Sequence, residues 1–274
     1  NKIYVGASYF NQLNIPIGLV LLFLMGIGPL LSWNYTSQSV LLNRFKLPLS
    51  ISFLSGIGYM IFSSSFQIYV FVAIMGVSFT LSSILGEFYK SYKKQKKASN
   101  FLHSVVKMFL SNRHKNGGYI VHIGIVLLFI GFIGRAFEVE KEFSLSPGEQ
   151  IYFSNYVFKL NSIKSEARDN HYAFLSEIDV VDSSTNQLLT NLKPEKRIYF
   201  YWNSDPEKRQ PHSELDIYST IQKDIYSIFS GYDAQKNIGY FKIMINPLVN
   251  WVWIGGVLMV IGSLFAFWPS RRNS

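Results

Sequence analysis

The sequence predicts an α-helical membrane protein of about five transmembrane helices, with an outer, mainly antiparallel β domain inserted before the last of them. Three observations predict it. Apolar residues make up 49% of the 274 and come in long uncharged blocks. The 17 acidic residues are so unevenly placed that 16 fall between 138 and 240, leaving Glu87 alone outside that window. Within the window, long apolar runs give way to period-2 alternation broken by turn residues.

Charge divides the chain the same way. The window holds 11 bases against its 16 acids, while the remainder carries 15 bases against one acid, so the overall +9 averages a region of −5 and one of +14. A nucleic-acid partner does not explain the basic part. Its Lys and Arg residues sit at the ends of apolar spans, where the orientation rule for membrane proteins puts them on the cytoplasmic side. There is no cysteine, so the chain offers no disulfide, thiolate nucleophile or thiolate metal ligand. Any thiol chemistry belongs to partners. The chain opens at Asn1 without a charged leader, apolar core and small-residue cleavage pattern, and reads as the later part of a longer protein or as a fragment.

Residues 1–89 are expected to form three transmembrane helices. Ile15 to Trp33 makes the first span, with Pro29 kinking or ending it. After Arg44 and Lys46, taken as a cytoplasmic cluster, comes an uncharged run of 40 residues from Leu47 to Gly86. At about 1.5 Å per residue this is two crossings. Ser63, Ser64, Ser65 and Gln67 supply the turn between them.

Residues 90–116 read as a basic cytoplasmic loop with an amphipathic helix. Lys90, Lys93, Lys94, Lys96, Lys97, Lys107, Arg113 and Lys115 stand there without an acid. Phe101, Leu102, Val105, Val106, Phe109 and Leu110 form an apolar stripe at helical period, which fits a helix lying on the inner leaflet or one that docks on protein or nucleic acid. His103 and His114 are expected among solvated basic neighbours.

Residues 117–137 hold the next span. From Asn116 to Gly134 there are nineteen residues without a formal charge, enough for a tilted helix across about 30 Å of hydrocarbon. His122 is out of place in it, since a polar ring in that setting costs free energy unless it finds a partner. At about 100° per residue, Gly118, His122, Val126 and Phe129 share one face, and Gly117, Gly124 and Gly131 share the opposite one. The glycine ridge permits close approach of another helix. An imidazole with small Gly118 one turn away fits an axial haem ligand with room for a flat group. A histidine hydrogen-bonded to a neighbouring helix fits the same residues.

In the window 138–240, Tyr172, Phe174, Ile178 and Val180 alternate onto one face of a strand. Ser146, Pro147, Gly148 and Glu149 make a turn. Tyr156–Ile163, Ile198–Trp202 and Leu215–Tyr218 are further strand-like runs, and the window is expected to fold as a small antiparallel sheet or barrel. Residues 241–274 hold the last span, between Lys242 and Arg271, and a basic cytoplasmic tail with Arg271 and Arg272. Asn246 and Asn250 are placed one helical turn apart, Trp251, Trp253 and Trp268 resemble interfacial anchors, and Gly255, Gly256 and Gly262 allow close packing.

Five segments, in this order, resemble the C-terminal part of the cytochrome c maturation protein F (CcmF) family. They are Gly26-Ile27-Gly28-Pro29-Leu30-Leu31-Ser32-Trp33, Gly117-Gly118-Tyr119-Ile120-Val121-His122-Ile123-Gly124, Lys193-Pro194-Glu195-Lys196-Arg197-Ile198-Tyr199, Lys223-Asp224-Ile225-Tyr226, and Asn246-Pro247-Leu248-Val249-Asn250-Trp251-Val252-Trp253-Ile254-Gly255-Gly256. The resemblance implies part of a membrane haem lyase that attaches haem to apocytochrome c during c-type cytochrome biogenesis. It implies a b-type haem in the bilayer, with His122 as one axial ligand to the iron and Gly118 clearing space for the ring. Haem is also the transferred substrate. The expected partners are the missing N-terminal half or a companion subunit, which would supply the second axial ligand, a covalent haem chaperone, apocytochrome c with its thiol-handling partner, and the lipid bilayer. The implied location is the bacterial inner membrane, with 138–240 on the periplasmic side. The family's tryptophan-rich segment and its other histidine ligands are absent, so this chain alone is not catalytically complete.

Other candidates are weaker. His171 and His212 read as exposed loop histidines. Pro194-Glu195-Lys196-Arg197 recurs as Pro206-Glu207-Lys208-Arg209. In the first copy, Lys196 and Arg197 fit haem propionates, an acidic partner or a solvated turn. Tyr199, Phe200, Tyr201 and Trp202 fit an aromatic partner patch or alternate core positions. The competing function is a non-enzymatic membrane scaffold or transporter subunit in which His122 only packs.

Overall fold

The computed structural model describes residues 7–31, 37–95, 101–200 and 211–268. The chain forms two units, a helical one of residues 1–136 and 251–274 and a β unit of residues 137–250. Among the described residues, five helices are long and apolar enough to cross a membrane, so this is a multi-pass membrane protein with a β domain inserted before the last of them.

In the helical unit, α1 (Ala7–Ile27) ends where Gly28 and Pro29 turn the chain into a short 3-10 segment, Gly28–Leu30. The first helix therefore starts earlier than expected. Ser32 and Trp33 lie outside the described residues. Helix α2 (Gln38–Phe62) also starts early, so Arg44 and Lys46 sit within its first turns rather than in a loop. The reason is local: Arg44 donates to the Leu30 carbonyl at 3.1 Å, meeting a backbone acceptor that the preceding helix end leaves open. The serine turn is as expected, with Tyr59 and Ser63 both donating to the Ser65 carbonyl.

Helix α3 (Ile68–Gln95) is the centre of the unit. Thr80 donates its hydroxyl to the Leu22 carbonyl of α1 at 2.8 Å, and Ser52 of α2 donates to the Met75 carbonyl at 2.9 Å. These are the polar crosslinks on which membrane helices rely when apolar contacts alone do not distinguish a neighbour from lipid. Leu22, Val77 and Val126 close a core between α1, α3 and α5 (Arg113–Gly134).

Helix α4 (Phe101–Ser111) forms as expected, but its stripe is split. Ser104 and Met108 are buried, whereas Val106 and Leu110 are 50% and 48% exposed. Its exposed apolar residues leave a face for lipid. Lys96, Lys97, Arg271 and Arg272 lie outside the described residues.

Helix α6 (Val249–Phe267) meets α5 along a seam of small residues. A Cβ on Gly124 would stand 2.7 Å from the Gly255 carbonyl oxygen, one on Gly262 would stand 2.8 Å from the Val121 nitrogen, and one on Gly117 would strike Ala266. Only glycine allows backbones this close. The glycine ridge thus has its partner in this chain.

The β unit is a two-sheet sandwich. One sheet has the order β1-β10-β9-β8 and the other β2-β3-β4-β6-β7, with β5 also paired to β4. The strands are β1 (Val139–Leu145), β2 (Gln150–Phe153), β3 (Tyr156–Ala167), β4 (His171–Asp182), β5 (Leu188–Leu192), β6 (Glu195–Tyr199), β7 (His212–Glu214), β8 (Asp216–Ser219), β9 (Lys223–Asp233) and β10 (Ile238–Pro247). Phe158, Leu160, Ile178, Val180, Ile225, Phe229, Phe241 and Ile243 fill the core at 0–1% exposure. Phe229 and Phe241 stack at 4.9 Å.

Two expectations are corrected here. The run Lys242 to Asn246 is strand, not helix, because Ile243 and Ile245 alternate inward with Lys242, Met244 and Asn246 between them. Asn246 and Asn250 are therefore not on one helix. On β4, Ile178 and Val180 are buried and Phe174 partly so, but Tyr172 is 51% exposed. Beyond Ser176 the covered side of the strand changes, and Ala173 and His171 are the buried residues.

Candidate functional site

Helix α5 carries the candidate ligand. Asn112 caps it by accepting from the Lys115 amide at 3.1 Å, and the buried Asn116 side chain donates to the Met108 carbonyl at 2.7 Å, fixing how the helix leaves α4. One turn on, Lys115 pairs with Glu87 of α3 at 3.0 Å and lies over the Tyr119 ring. Glu87 also receives Lys90 at 3.0 Å, so the helical unit's lone carboxylate joins two helices.

His122 comes two turns after Lys115. Its ring is half-buried, and Nδ1 is buried without a hydrogen-bond partner among the described residues. Gly118, one turn before it, faces open space: a Cβ there would meet nothing within 4 Å. Val126, one turn after it, is fully buried in the core with Leu22 and Val77. The face that the sequence joins is thus open on the Gly118 side of His122 and closed on the Val126 side. An interhelical hydrogen bond from Nδ1 is not made. A histidine with an unpartnered ring nitrogen, one turn from an open position at Gly118, fits a group that brings its own acceptor for an imidazole lone pair, as an iron porphyrin does.

In the β unit, the structure joins two segments that the sequence lists separately. Asp224 lies directly across from Asn246 in the β9–β10 ladder, and Lys223 lies across from Pro247. Asn250 donates from Nδ2 to the Thr220 carbonyl at 2.6 Å, to the Ser219 hydroxyl at 3.0 Å and toward the Asp224 carboxylate at 3.3 Å. Ser219 donates to Asp224 at 2.6 Å, and the Leu248 amide donates to the Gln222 carbonyl at 2.8 Å. Leu248 takes a left-handed φ of 64° to make this corner. The fixed order of the Lys223–Tyr226 and Asn246–Trp251 segments was the available signal. The polar latch between them needs the register.

The Lys193–Tyr199 segment is β6 and its approach. Glu195 accepts from Arg197 at 2.8 Å and from Arg168 at 3.3 Å, and Arg197 also reaches Glu214 at 3.3 Å. Burial works to raise the Glu195 carboxyl, but the hydrogen bond and charge of Arg197 with the charge of Arg168 hold it below its ordinary value. Hydrogen bonding to Glu195, then to Tyr199, raises the Arg197 guanidinium. Arg197 is therefore engaged in bracing strands. Lys196 donates to Ser213 at 2.9 Å, and burial lowers its pKa.

The histidine expectations are also corrected. His171 opens β4, is 8% exposed, shares a 2.6 Å hydrogen bond with Asn170 and packs at a tilt against Tyr199, ring centres 4.9 Å apart. His212 is exposed but lies on β7, edge-on to Tyr199. Sequence neighbours of loop type hid both strands. Tyr199 and Phe200 are half-buried, while Tyr201, Trp202 and the second Pro-Glu-Lys-Arg copy lie outside the described residues. His103 and His114 are exposed.

Residues 136–247 match the family described as the CcmF C-terminal beta-sandwich. Along nearly its whole length the chain is also similar to CcmF proteins. It is 24% identical over 271 residues to the cytochrome c-type biogenesis protein CcmF of Haemophilus influenzae, covering 98% of this chain and 40% of that protein. It is likewise 24% identical to CcmF of Pseudomonas aeruginosa, covering 97% and 38%. A solved structure titled Cytochrome c Heme Lyase CcmF superposes with a TM-score of 0.72 at 20% identity, covering 96% of this chain and 41% of that one, which shows a shared fold. The chain spans about two fifths of the length of these CcmF proteins.

Proposed function

We propose that this chain is the C-terminal part of a membrane haem lyase that attaches haem to apocytochrome c, and that His122 supplies one axial ligand to a b-type haem within the bilayer. The observation that carries the reading is the buried, unpartnered Nδ1 of His122 on a helix whose Gly118, one turn earlier, is open, within the stretch similar to CcmF of Haemophilus influenzae. When bound, the haem supplies one-electron chemistry. What this chain does is hold and orient. Val126 and the glycine seam fix α5 from two sides, Gly118 leaves the ring face clear, and a neutral imidazole offers one nitrogen to iron while the other holds its proton. The other described histidine within a span, His114, is exposed at the first turn of the same helix, two turns before His122, so the second axial ligand comes from the missing N-terminal part or a companion subunit. Haem is also the transferred substrate, delivered by a covalent haem chaperone. The β domain, on the periplasmic side of a bacterial inner membrane, is the docking surface for apocytochrome c and its thiol-handling partner.

The test is the reduced-minus-oxidised haem spectrum of the full assembly, normalised to folded protein. His122→Ala should lose the haem or leave it five-coordinate, while the helix, gaining alanine's propensity, still inserts. Gly118→Leu should weaken haem binding by filling the open side. An unchanged spectrum in His122→Ala would refute ligation by this residue.

A further inference from the structure

The β unit has one long open edge. Its sheets end on β1 and β8 and on β2 and β7, and β5 branches from β4. Strands β2, β7 and β8 have four residues or fewer and β5 has five, whereas β1 has seven. Short edge strands blunt a sheet against pairing with another chain. Strand β1 is not blunted in this way. Among the described residues it pairs with β10 alone, so the N–H and C=O groups along its other side have no ladder to join.

Charge and shape mark the same strand. Glu140 and Glu142 share one side of β1, and Lys242, directly opposite Glu142 on β10, is 2.8 Å from the first and 3.9 Å from the second. Two carboxylates thus divide one ammonium, and the Glu142 side chain is 79% exposed. Lys141, between them, lies on the other side, its ammonium 6.0 Å from the Phe153 ring centre. Next to Glu142 is a cavity of about 270 Å³ lined by Glu142, Phe143, Ser144, Ser230, Tyr240 and Phe241. It forms where the β9–β10 register shifts between Tyr240 and Phe241 and leaves Ser230 unmatched in a bulge. Pockets for whole small molecules run from about 300 to 1,000 Å³. This one has room for a single long side chain, with Glu142 and the half-exposed Tyr240 in its wall.

We propose that the free edge of β1 binds an extended polypeptide by strand addition, and that the occupant is a basic segment with lysine or arginine at alternate positions. Its main chain completes the ladder, one row of its side chains faces Glu140 and Glu142, and one basic side chain enters the cavity. Charge selects this occupant over a second copy of the protein. Two antiparallel β1 strands centred on Lys141 would set Glu140 against Glu142 and Lys141 against Lys141. Apocytochrome c as the natural occupant rests on the docking role proposed for the β domain; the edge and its charge do not.

The test uses the full chain in detergent and a short fluorescein-labelled peptide of alternating lysine and threonine, with binding read by fluorescence anisotropy. The same peptide with every backbone nitrogen methylated keeps its charge and loses its ladder donors. The parent peptide should bind several-fold more tightly than the methylated one. Glu140→Gln combined with Glu142→Gln should weaken the parent peptide several-fold and leave thermal unfolding close to that of the unaltered chain, since exposed ion pairs add little to stability. Equal binding of the two peptides would overturn the proposal, because charge attraction alone would account for it. Equal binding of the parent peptide to the unaltered and glutamine chains would overturn it too, placing the peptide elsewhere. Apocytochrome c separates this edge from the docking role. Equal binding of apocytochrome c to both chains would overturn the edge as its site and leave the docking role standing. Apocytochrome c that binds neither chain, while the lysine peptide behaves as expected, would remove the docking role and support the edge as a site for basic segments.

Discussion

Two glycines six residues apart in α5 have opposite surroundings, and a methyl group tells them apart. Gly124 has the Gly255 carbonyl and Met259 against it, whereas Gly118 has nothing within 4 Å. Gly124→Ala should therefore force α5 and α6 apart and cost about 1–3 kcal/mol. Gly118→Ala should be neutral or should stabilise by a few tenths up to about 1 kcal/mol through helix propensity. Thermal unfolding of the two variants in detergent checks this, and equal losses would mean that Gly118 is packed after all. Asp182 gives a second residue-scale expectation. Ser184 donates from both its hydroxyl and its amide, Thr185 adds its amide, and the carboxyl is held down to about 2. Titration followed by NMR should find it still ionised at pH 3, and Ser184→Ala should bring its midpoint up toward the ordinary value.

Among the elements, β6 shows how charge fixes a strand. Glu195 is the shared acceptor of Arg197 on its own strand and Arg168 just past the end of β3, and its depressed pKa couples folding to pH with a definite sign. Its contribution is complete above the ordinary value near 4.5 and is lost as pH falls through the lower folded value. Glu195→Gln should be less stable than the parent at pH 7, with the difference shrinking toward pH 3, read by thermal unfolding at each pH. Asn250→Ala should cost about 1–3 kcal/mol, since it leaves the Thr220 carbonyl without its donor. The spans, the serine turn and the strand-rich window were legible because each follows from a local period or a breaker. Helix starts were less so, because Arg44 finds its partner fourteen residues earlier and can enter a helix that composition alone would begin later. The strand from Lys242 was hidden by its junction with α6, which makes one long apolar run of two different periods. His122 and Gly118 stood out as polar and small residues in an apolar span. The latch at Asp224 did not, since only the register of β9 and β10 brings it to Asn246.

For the whole molecule, the lone acid and many bases outside 138–240 predict an orientation that a cysteine-free chain makes easy to test. A cysteine replacing Asn112 should react with impermeant maleimide only from the cytoplasmic side, and one replacing Ser183 only from the other side. The reverse pattern would invert the partner assignments. The β domain has one further property, which follows from how its chain ends are tied. Its entering and leaving strands pair with each other, Val139 opposite Ile245, and in the helical unit α5 and α6 touch backbone to backbone along their glycines. The two ends of the domain thus lie side by side, and the two helices that the chain continues into touch each other. Splicing out 139–245 with a short Gly-Ser bridge should leave α5 and α6 able to insert and pack as a hairpin, so the β domain could be exchanged between relatives without redesigning the membrane part.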